Sequence, residues 1–229
     1  MIIGGLQKSS LIDYPGKVSA IVFTRGCPLR CHFCHNPGLV LPEMFGKATP
    51  DWEVLEFLKS RVGRLDAVVV TGGEPTIHKD LPDFLATIKG MGYLVKLDTS
   101  GVNPEMVKVL LGNGLVDYIA MDIKAPLSRY SEVAGVKVNT EAIKRSVEII
   151  RESGVDYEFR TTVVKGQLSK DDIVLIAKYI EGAKRYFLQR FRGGVTLDPG
   201  FAKRGAYSDA EFESIRDESA KHVIECEVR

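Results

Sequence analysis

Six short apolar segments, each followed by a longer stretch, constrain this chain more than any other feature. Val18–Thr24, Ala67–Thr71, Tyr93–Asp98, Tyr118–Ile123, Tyr157–Val164 and Arg185–Gln189 read as strands. Several are nearly continuous in Val, Ile, Leu and aromatic residues, the pattern of strands covered on both faces of a parallel sheet. Stripes at helical spacing lie between them: Val54, Leu55, Leu58 and Val62; Met106, Val107, Leu110 and Leu111; Ile143, Val147 and Ile150; Ile173, Ile176, Ala177 and Ile180. Thr49 with Pro50, and Asn103 with Pro104, pair an N-cap with a first-turn proline. Ser169 with Asp172, and Ser208 with Glu211, have capping-box spacing, while Gly112, Gly154 and Gly182 stand where C-caps belong.

Strand and helix in alternation imply right-handed crossovers and parallel strands. No linker, charge block or low-complexity tract interrupts the series, so residues 1–229 read as one α/β domain, with a final helix and strand in 208–228. A doubly wound open sheet and a barrel or partial barrel both satisfy the pattern; six strands are too few for a closed eight-stranded barrel. The 45% of hydrophobic residues suffice for a full core. A net charge of +1 argues against a nucleic-acid partner, since phosphate recognition needs a basic excess. Basic residues do gather between Lys184 and Arg204, which reads as solvated surface. Met1–Gly16 lacks the apolar run of a signal peptide and no stretch is long enough for a membrane, so a soluble, cytoplasmic protein is expected.

Three of the four cysteines lie together in Cys27-Pro-Leu-Arg-Cys31-His-Phe-Cys34, directly after the first predicted strand. A disulfide framework would spread them, so the spacing C-x3-C-x2-C points to metal or redox chemistry. Three thiolates on one loop can hold three irons of a cubane cluster and leave the fourth open to a ligand. The rival reading is a structural zinc ion with His32, His35 or Cys226 completing the set; the lack of a second C-x2-C pair and a domain large enough to need no metal staple stand against it. Cys226 itself reads as a small apolar residue of a terminal strand, His222–Val228.

Other polar residues fall at the carboxyl ends of strands, which converge on one mouth in α/β folds. Gly72-Gly73-Glu74-Pro75 follows the second strand, where two glycines allow close backbone approach and their carbonyls can accept from an ammonium group. Asp98-Thr99-Ser100 ends the third strand, and Asp122-Ile123-Lys124 ends the fourth with Asp122 and Lys124 on the same side. Arg160 stands inside a predicted strand and needs an acid or an anionic ligand.

The cysteine spacing with Phe33 before the last cysteine resembles the signature of the radical S-adenosylmethionine (SAM) enzymes. Cys34-His35-Asn36-Pro37 is similar to the activating enzymes of glycyl-radical proteins, and Gly4-Gly5-Leu6-Gln7-Lys8-Ser9-Ser10-Leu11-Ile12-Asp13-Tyr14-Pro15-Gly16 to their anaerobic ribonucleoside-triphosphate reductase branch. The resemblance implies a partial (β/α)6 TIM-like barrel of parallel strands with its cluster loop at residues 24–38. It implies a [4Fe–4S] cluster on Cys27, Cys31 and Cys34, and SAM among Phe33, Gly72, Gly73, Glu74, Asp98, Ser100, Asp122, Lys124 and Arg160. Within that set Gly72, Gly73 and Glu74 belong to the amino group and Arg160 to the carboxylate; Asp98, Thr99 and Asp122 become candidates for a monovalent cation. The implied chemistry is anaerobic: reductive cleavage of SAM to a 5′-deoxyadenosyl radical, which takes hydrogen from a glycine of a partner glycyl-radical enzyme, first of all a ribonucleotide reductase. Flavodoxin or ferredoxin is the implied electron donor. Because no cysteine-rich insert follows the first loop, further ferredoxin-like clusters are not expected. Two rival readings are a radical SAM enzyme acting on a small molecule, like 7-carboxy-7-deazaguanine synthase, and a non-catalytic zinc-binding interaction module. The former enzymes carry Cys-Asp-Thr where this chain has Cys34-His35-Asn36.

Overall fold

The computed structural model describes residues 1–229. All six expected strands form, each ending within one residue of its expected bounds: β2 (Ser19–Thr24), β3 (Ala67–Gly72), β4 (Leu94–Thr99), β5 (Tyr118–Asp122), β6 (Asp156–Val163) and β7 (Arg185–Arg190). The expected terminal strand is β8 (Glu225–Val228), which starts three residues later than expected because His222 is still in the turn after the last helix, its N–H donating to Ser219 O at 3.0 Å. One strand, β1 (Ile3–Ser10), falls outside the expected set and pairs antiparallel with β2, so the sheet is not wholly parallel. Its sequence, Ile-Gly-Gly-Leu-Gln-Lys-Ser-Ser, gives no apolar run because it is an edge strand with Gln7–Ser9 in solvent and two register irregularities.

The strand order is β1-β2-β3-β4-β5-β6-β7-β8, with every pair after the first parallel. This settles what the pattern leaves open. A doubly wound sheet reverses its order at a switch point; here the order never reverses, so successive right-handed crossovers keep the helices on one face. The edges β1 and β8 are at opposite ends of the order, and the sheet is a partial, unclosed barrel.

The helices are α1 (Pro37–Val40), α2 (Asp51–Lys59), α3 (Leu81–Gly90), α4 (Pro104–Gly112), α5 (Tyr130–Val133), α6 (Thr140–Glu152), α7 (Lys170–Tyr179) and α8 (Asp209–Ser219). Asn103 caps α4 by accepting from Met106 N at 3.2 Å, and both capping boxes form on α7 and α8. Thr49 does not cap α2, because its N–H is drawn into pairing with Ile3 O at 3.0 Å; Pro50 takes the cap position. Gly112 remains helical and Gly114 supplies the left-handed turn instead, at φ +64°. Val62 of the predicted α2 stripe lies beyond the helix end and is half exposed.

Along the strands alternate residues take opposite faces. Those facing the helices, such as Val68, Val70, Val95, Leu97, Ile119, Met121, Phe159, Tyr186 and Leu188, join a 47-residue buried cluster with the helix stripes. A five-residue cluster of Tyr14, Ile21, Ala67, Val69 and Tyr118 fills the concave side near the strand starts, with Tyr14 and Tyr118 rings 5.8 Å apart. Farther along, that side turns polar. No helix is long and apolar enough to cross a membrane.

Candidate active site at the carboxyl ends of the strands

A cavity of about 240 Å³ opens where β2 to β6 end. Its walls include Cys27, Cys31, Phe33, Cys34, Gly72, Gly73, Asp98, Ser100, Asp122, Lys124 and Arg160, which are all of the residues that the resemblance assigns to the cluster and SAM except Glu74; of the alternative zinc ligands, His35 lines the cavity and His32 and Cys226 do not. His35, Asn36, Thr71, Thr99 and Thr162 complete much of the rest.

The cysteine loop leaves β2 through Gly26, at φ +87°, whose N–H donates to Leu39 O at 2.8 Å. Arg30 braces the loop internally, its Nη1 donating to Cys27 O at 2.6 Å and Leu29 O at 2.8 Å, while its own N–H reaches Ala134 O at 2.8 Å. From the other side, Leu197 N donates to Cys34 O at 2.8 Å and Asp198 N to His32 O at 3.0 Å. His35 stacks on Phe191 and its Nε2 lies 2.7 Å from Arg192 O. Burial pushes the Cys27 thiol up to about 12, the Glu74 carboxylate adding to the effect, and burial likewise raises Cys31. Alone, these thiols stay protonated. As thiolates they require a cationic centre.

Gly72 and Gly73 are where two loops touch. Gly72 adopts φ +116°, and a Cβ there would sit 2.4 Å from Thr24 N; one on Gly73 would sit 2.1 Å from Gly26 O. Gly73 N donates to Thr24 O at 2.9 Å and Glu74 N to Gly26 O at 2.8 Å, so this turn is stitched to the start of the cysteine loop. Glu74 then points away from the cavity. Fully buried, it accepts from Thr76 N (3.1 Å), Thr76 Oγ1 (2.6 Å), Thr99 Oγ1 (2.7 Å), Ser100 N (2.7 Å) and Ser100 Oγ. Five donors satisfy the carboxylate and lock the β3 turn to the end of β4.

Opposite the thiols lies a salt network. Arg160 Nε donates to Asp122 Oδ1 at 2.8 Å and Nη1 to Asp98 Oδ2 at 3.1 Å; Lys124 Nζ holds Asp122 Oδ2 at 3.0 Å. Burial works against the Asp122 charge, but Arg160 and Lys124 outweigh it and hold its carboxyl well below the usual carboxylate range. The same burial opposes the cations, and their acids raise both Lys124 and Arg160 above their ordinary values. Two members escape a reading of the sequence alone. Lys96, almost fully buried, lies 3.3 Å from Asp98 Oδ1 and donates to Asp13 O at 2.6 Å. Glu158, with no exposure, accepts from Tyr118 OH at 2.8 Å and lies 3.8 Å from Arg160 Nη1. Their signal is a charge at an inward position of an apolar strand. At the trio considered for a monovalent cation, both carboxylates are ion-paired with Lys96, Arg160 and Lys124, Asp98 Oδ1 accepts no hydrogen bond, and Thr99 Oγ1 donates to Glu74.

Comparison with known proteins adds the decisive observation: the sequence profile of the radical SAM superfamily matches residues 21–180, from within β2 through α7. The chain belongs to the radical SAM superfamily. It is 31% identical over 234 aligned positions to a Methanocaldococcus jannaschii protein provisionally named glycyl-radical enzyme activating enzyme, covering 100% of this chain and 95% of that one. It is 27% identical to the GTP 3′,8-cyclase of Aquifex aeolicus over 84% of this chain and 62% of that enzyme. Among solved structures, Streptococcus suis SuiB shares the fold at TM-score 0.69 and 15% identity, over 91% of this chain but only 48% of SuiB.

Membership in the radical SAM superfamily makes the chain an enzyme of radical chemistry whose cofactors are a [4Fe–4S] cluster and SAM. The residues present fit both. Iron–sulfur centres take thiolate donors, three cysteines line the cavity, and burial keeps the thiols of Cys27 and Cys31 neutral unless a metal compensates their charge. The facing wall offers the cations Lys124 and Arg160 for a carboxylate, and Gly72 and Gly73 bring bare backbone to the same cavity.

Proposed function

We propose that this radical SAM enzyme, with all of residues 1–229 as one domain, activates a glycyl-radical enzyme by removing hydrogen from one glycine of that partner. The observation that carries the reading is the full-length likeness to a protein of that provisional name, joined to Cys34-His35-Asn36-Pro37, whose first three residues line the cavity. The partner we propose is an anaerobic ribonucleotide reductase, on the strength of the Gly4–Gly16 opening.

In this reading Cys27, Cys31 and Cys34 would hold the cluster and leave one iron without a protein thiol, Cys226 being on β8 away from the cavity. Gly72 and Gly73 would accept from the ammonium group of SAM, and Arg160 with Lys124 would receive its carboxylate. Asp122 and Asp98 keep those cations aligned before the ligand arrives, so little reorganisation attends binding. Phe33 walls the cavity beneath Lys124, whose Nζ lies 5.9 Å from the ring, and Asp98 and Ser100 complete the cofactor side. When bound, cluster and SAM supply a one-electron cleavage of a carbon–sulfur bond and the alkyl radical that abstracts hydrogen; the protein positions and excludes water.

The test is anaerobic. Reconstituted enzyme, dithionite and SAM are mixed with candidate glycyl-radical proteins and read by electron paramagnetic resonance. A glycyl-radical signal is expected with the reductase. Cys27→Ala, Cys31→Ala and Cys34→Ala each abolish SAM cleavage, and Cys226→Ala leaves it intact. Turnover of a small molecule with no protein partner present, and no glycyl signal, would overturn the proposal.

A further inference from the structure

Reductive cleavage consumes one electron per SAM, and the chain has no second group of cysteines for a relay cluster: three line the cavity and the fourth lies alone on β8. A carrier that reduces the cluster directly would dock against the cysteine loop itself. Residues 191–204 form the outer cover of that loop, tied to it through Leu197 N to Cys34 O, Asp198 N to His32 O, and His35 Nε2 beside Arg192 O.

The basic run from Lys184 to Arg204 divides in two in the structure. Its first half is internally neutralised: Lys184 and Arg185 pair with Asp156, and Arg190 lies 2.9 Å from Asp209. Its second half is not. Arg192, Lys203 and Arg204 are exposed and make no ion pair. Gly194 N donates to Ala202 O at 3.0 Å, which joins the arm that carries Arg192 to the arm that carries Lys203 and Arg204. The one acid within the cover, Asp198, is engaged with His32 at 3.5 Å and with Gly200 N at 2.8 Å. Arg204 lies over Phe201, its guanidinium carbon 3.9 Å from the ring centre, and Val195 of the same cover is 71% exposed. An orderly cationic surface with an exposed apolar residue, on a chain of net charge only +1, differs from a uniformly solvated basic face.

We propose that Arg192, Lys203 and Arg204, with Val195, form the docking surface for an acidic one-electron carrier protein that reduces the cluster. The proposal rests on the cofactor assignment above and adds the site at which the electron enters. In the transfer the carrier loses one electron and the oxidised cluster gains it; no bond forms or breaks and no proton moves. Proximity to the Cys34 backbone favours this occupant over the glycyl-radical partner, whose glycine must reach the cavity rather than its outer cover. Opposite charge raises encounter rates and salt suppresses the effect.

The experiment uses reconstituted enzyme with two pre-reduced acidic carriers, a flavodoxin and a ferredoxin, and follows bleaching of the visible cluster absorbance in stopped flow. With at least one carrier, wild-type reduction is expected to slow steeply as salt rises. Arg192→Gln, Lys203→Gln and Arg204→Gln combined should slow it by roughly tenfold or more at low salt, and weaken carrier binding in a direct titration. Dithionite reduction and dithionite-driven SAM cleavage stay unchanged. Lys203→Glu alone, at an exposed site, should slow reduction severalfold and serves if the triple variant folds poorly. Equal carrier-driven rates in wild type and variants, salt-insensitive reduction, or no reduction by either carrier overturns the docking surface. Absence of cluster absorbance, or of cleavage with dithionite, would instead sink the cofactor assignment on which it stands.

Discussion

The two faces of β4, β5 and β6 are built from adjacent residues and have opposite characters. Toward the helices stand Val95, Leu97, Ile119, Met121 and Phe159, all fully buried and all apolar. Toward the barrel interior stand Lys96, Asp98, Asp122, Glu158 and Arg160, five ionisable groups in a space a few side chains wide. The outer face stabilises by removing area from water, on the order of 1.5–3 kcal/mol for each large side chain. The inner face gains little net stability, because desolvation offsets the attraction within each pair. What it provides is a set of fixed charges already oriented toward a ligand. The difference teaches where to look for function in such a sheet: on the face that spends stability.

The contrast predicts different consequences for neighbouring substitutions. Arg160→Leu strips Asp122 and Asp98 of their shared guanidinium, and is expected to lower stability by about 3–5 kcal/mol and SAM affinity by about a hundredfold, on the scale of ~2.7 kcal/mol for a lost charged contact. Urea unfolding and calorimetric titration with SAM measure the two losses; intact SAM binding in a destabilised variant would reduce the inner face to a structural role. Phe159→Ala, one residue away, should cost about 3 kcal/mol in urea unfolding yet leave SAM affinity within about twofold, a shift under ~0.5 kcal/mol. A large affinity loss there would erase the division between faces. The smallest effect is one of pH. Asp122 is held below the ordinary aspartate range, so its contribution is fully present above the unfolded value of about 3.9 and drains away as pH falls below it toward the depressed folded value. Wild-type urea midpoints should therefore fall more steeply below about pH 4 than those of Asp122→Asn; parallel curves would mean that the network, not this carboxylate, carries the acid sensitivity.

How much of this was legible depends on how local each signal is. The six strands β2 to β7 could be placed to within a residue because their apolar runs are nearly continuous, and both capping boxes because the pairs sit three apart. β1 was not legible, since an edge strand half in solvent needs no apolar run, and its pairing displaced the expected Thr49 cap. In the site, the cysteines are marked by their spacing, but the roles of Gly72, Asp98, Asp122, Lys124 and Arg160 entered through family resemblance. Nothing in the order of residues says that Arg160 falls opposite Asp122; the β5–β6 register says it. Lys96 and Glu158 are marked in the sequence only as charges within apolar strands, and their neighbours are likewise set by register. Glu74 had a clear motif and a different position, turned beneath the cavity to join two loops rather than into it.

The contact between Gly73 and the carbonyl of Gly26 bears on any attempt to transplant this chemistry. With no room for even a methyl group there, the thiol-bearing loop cannot be grafted alone onto another barrel and keep its shape. It would have to travel with Gly72–Pro75, and through Glu74 with Thr99 and Ser100, so the smallest portable unit spans the ends of three strands.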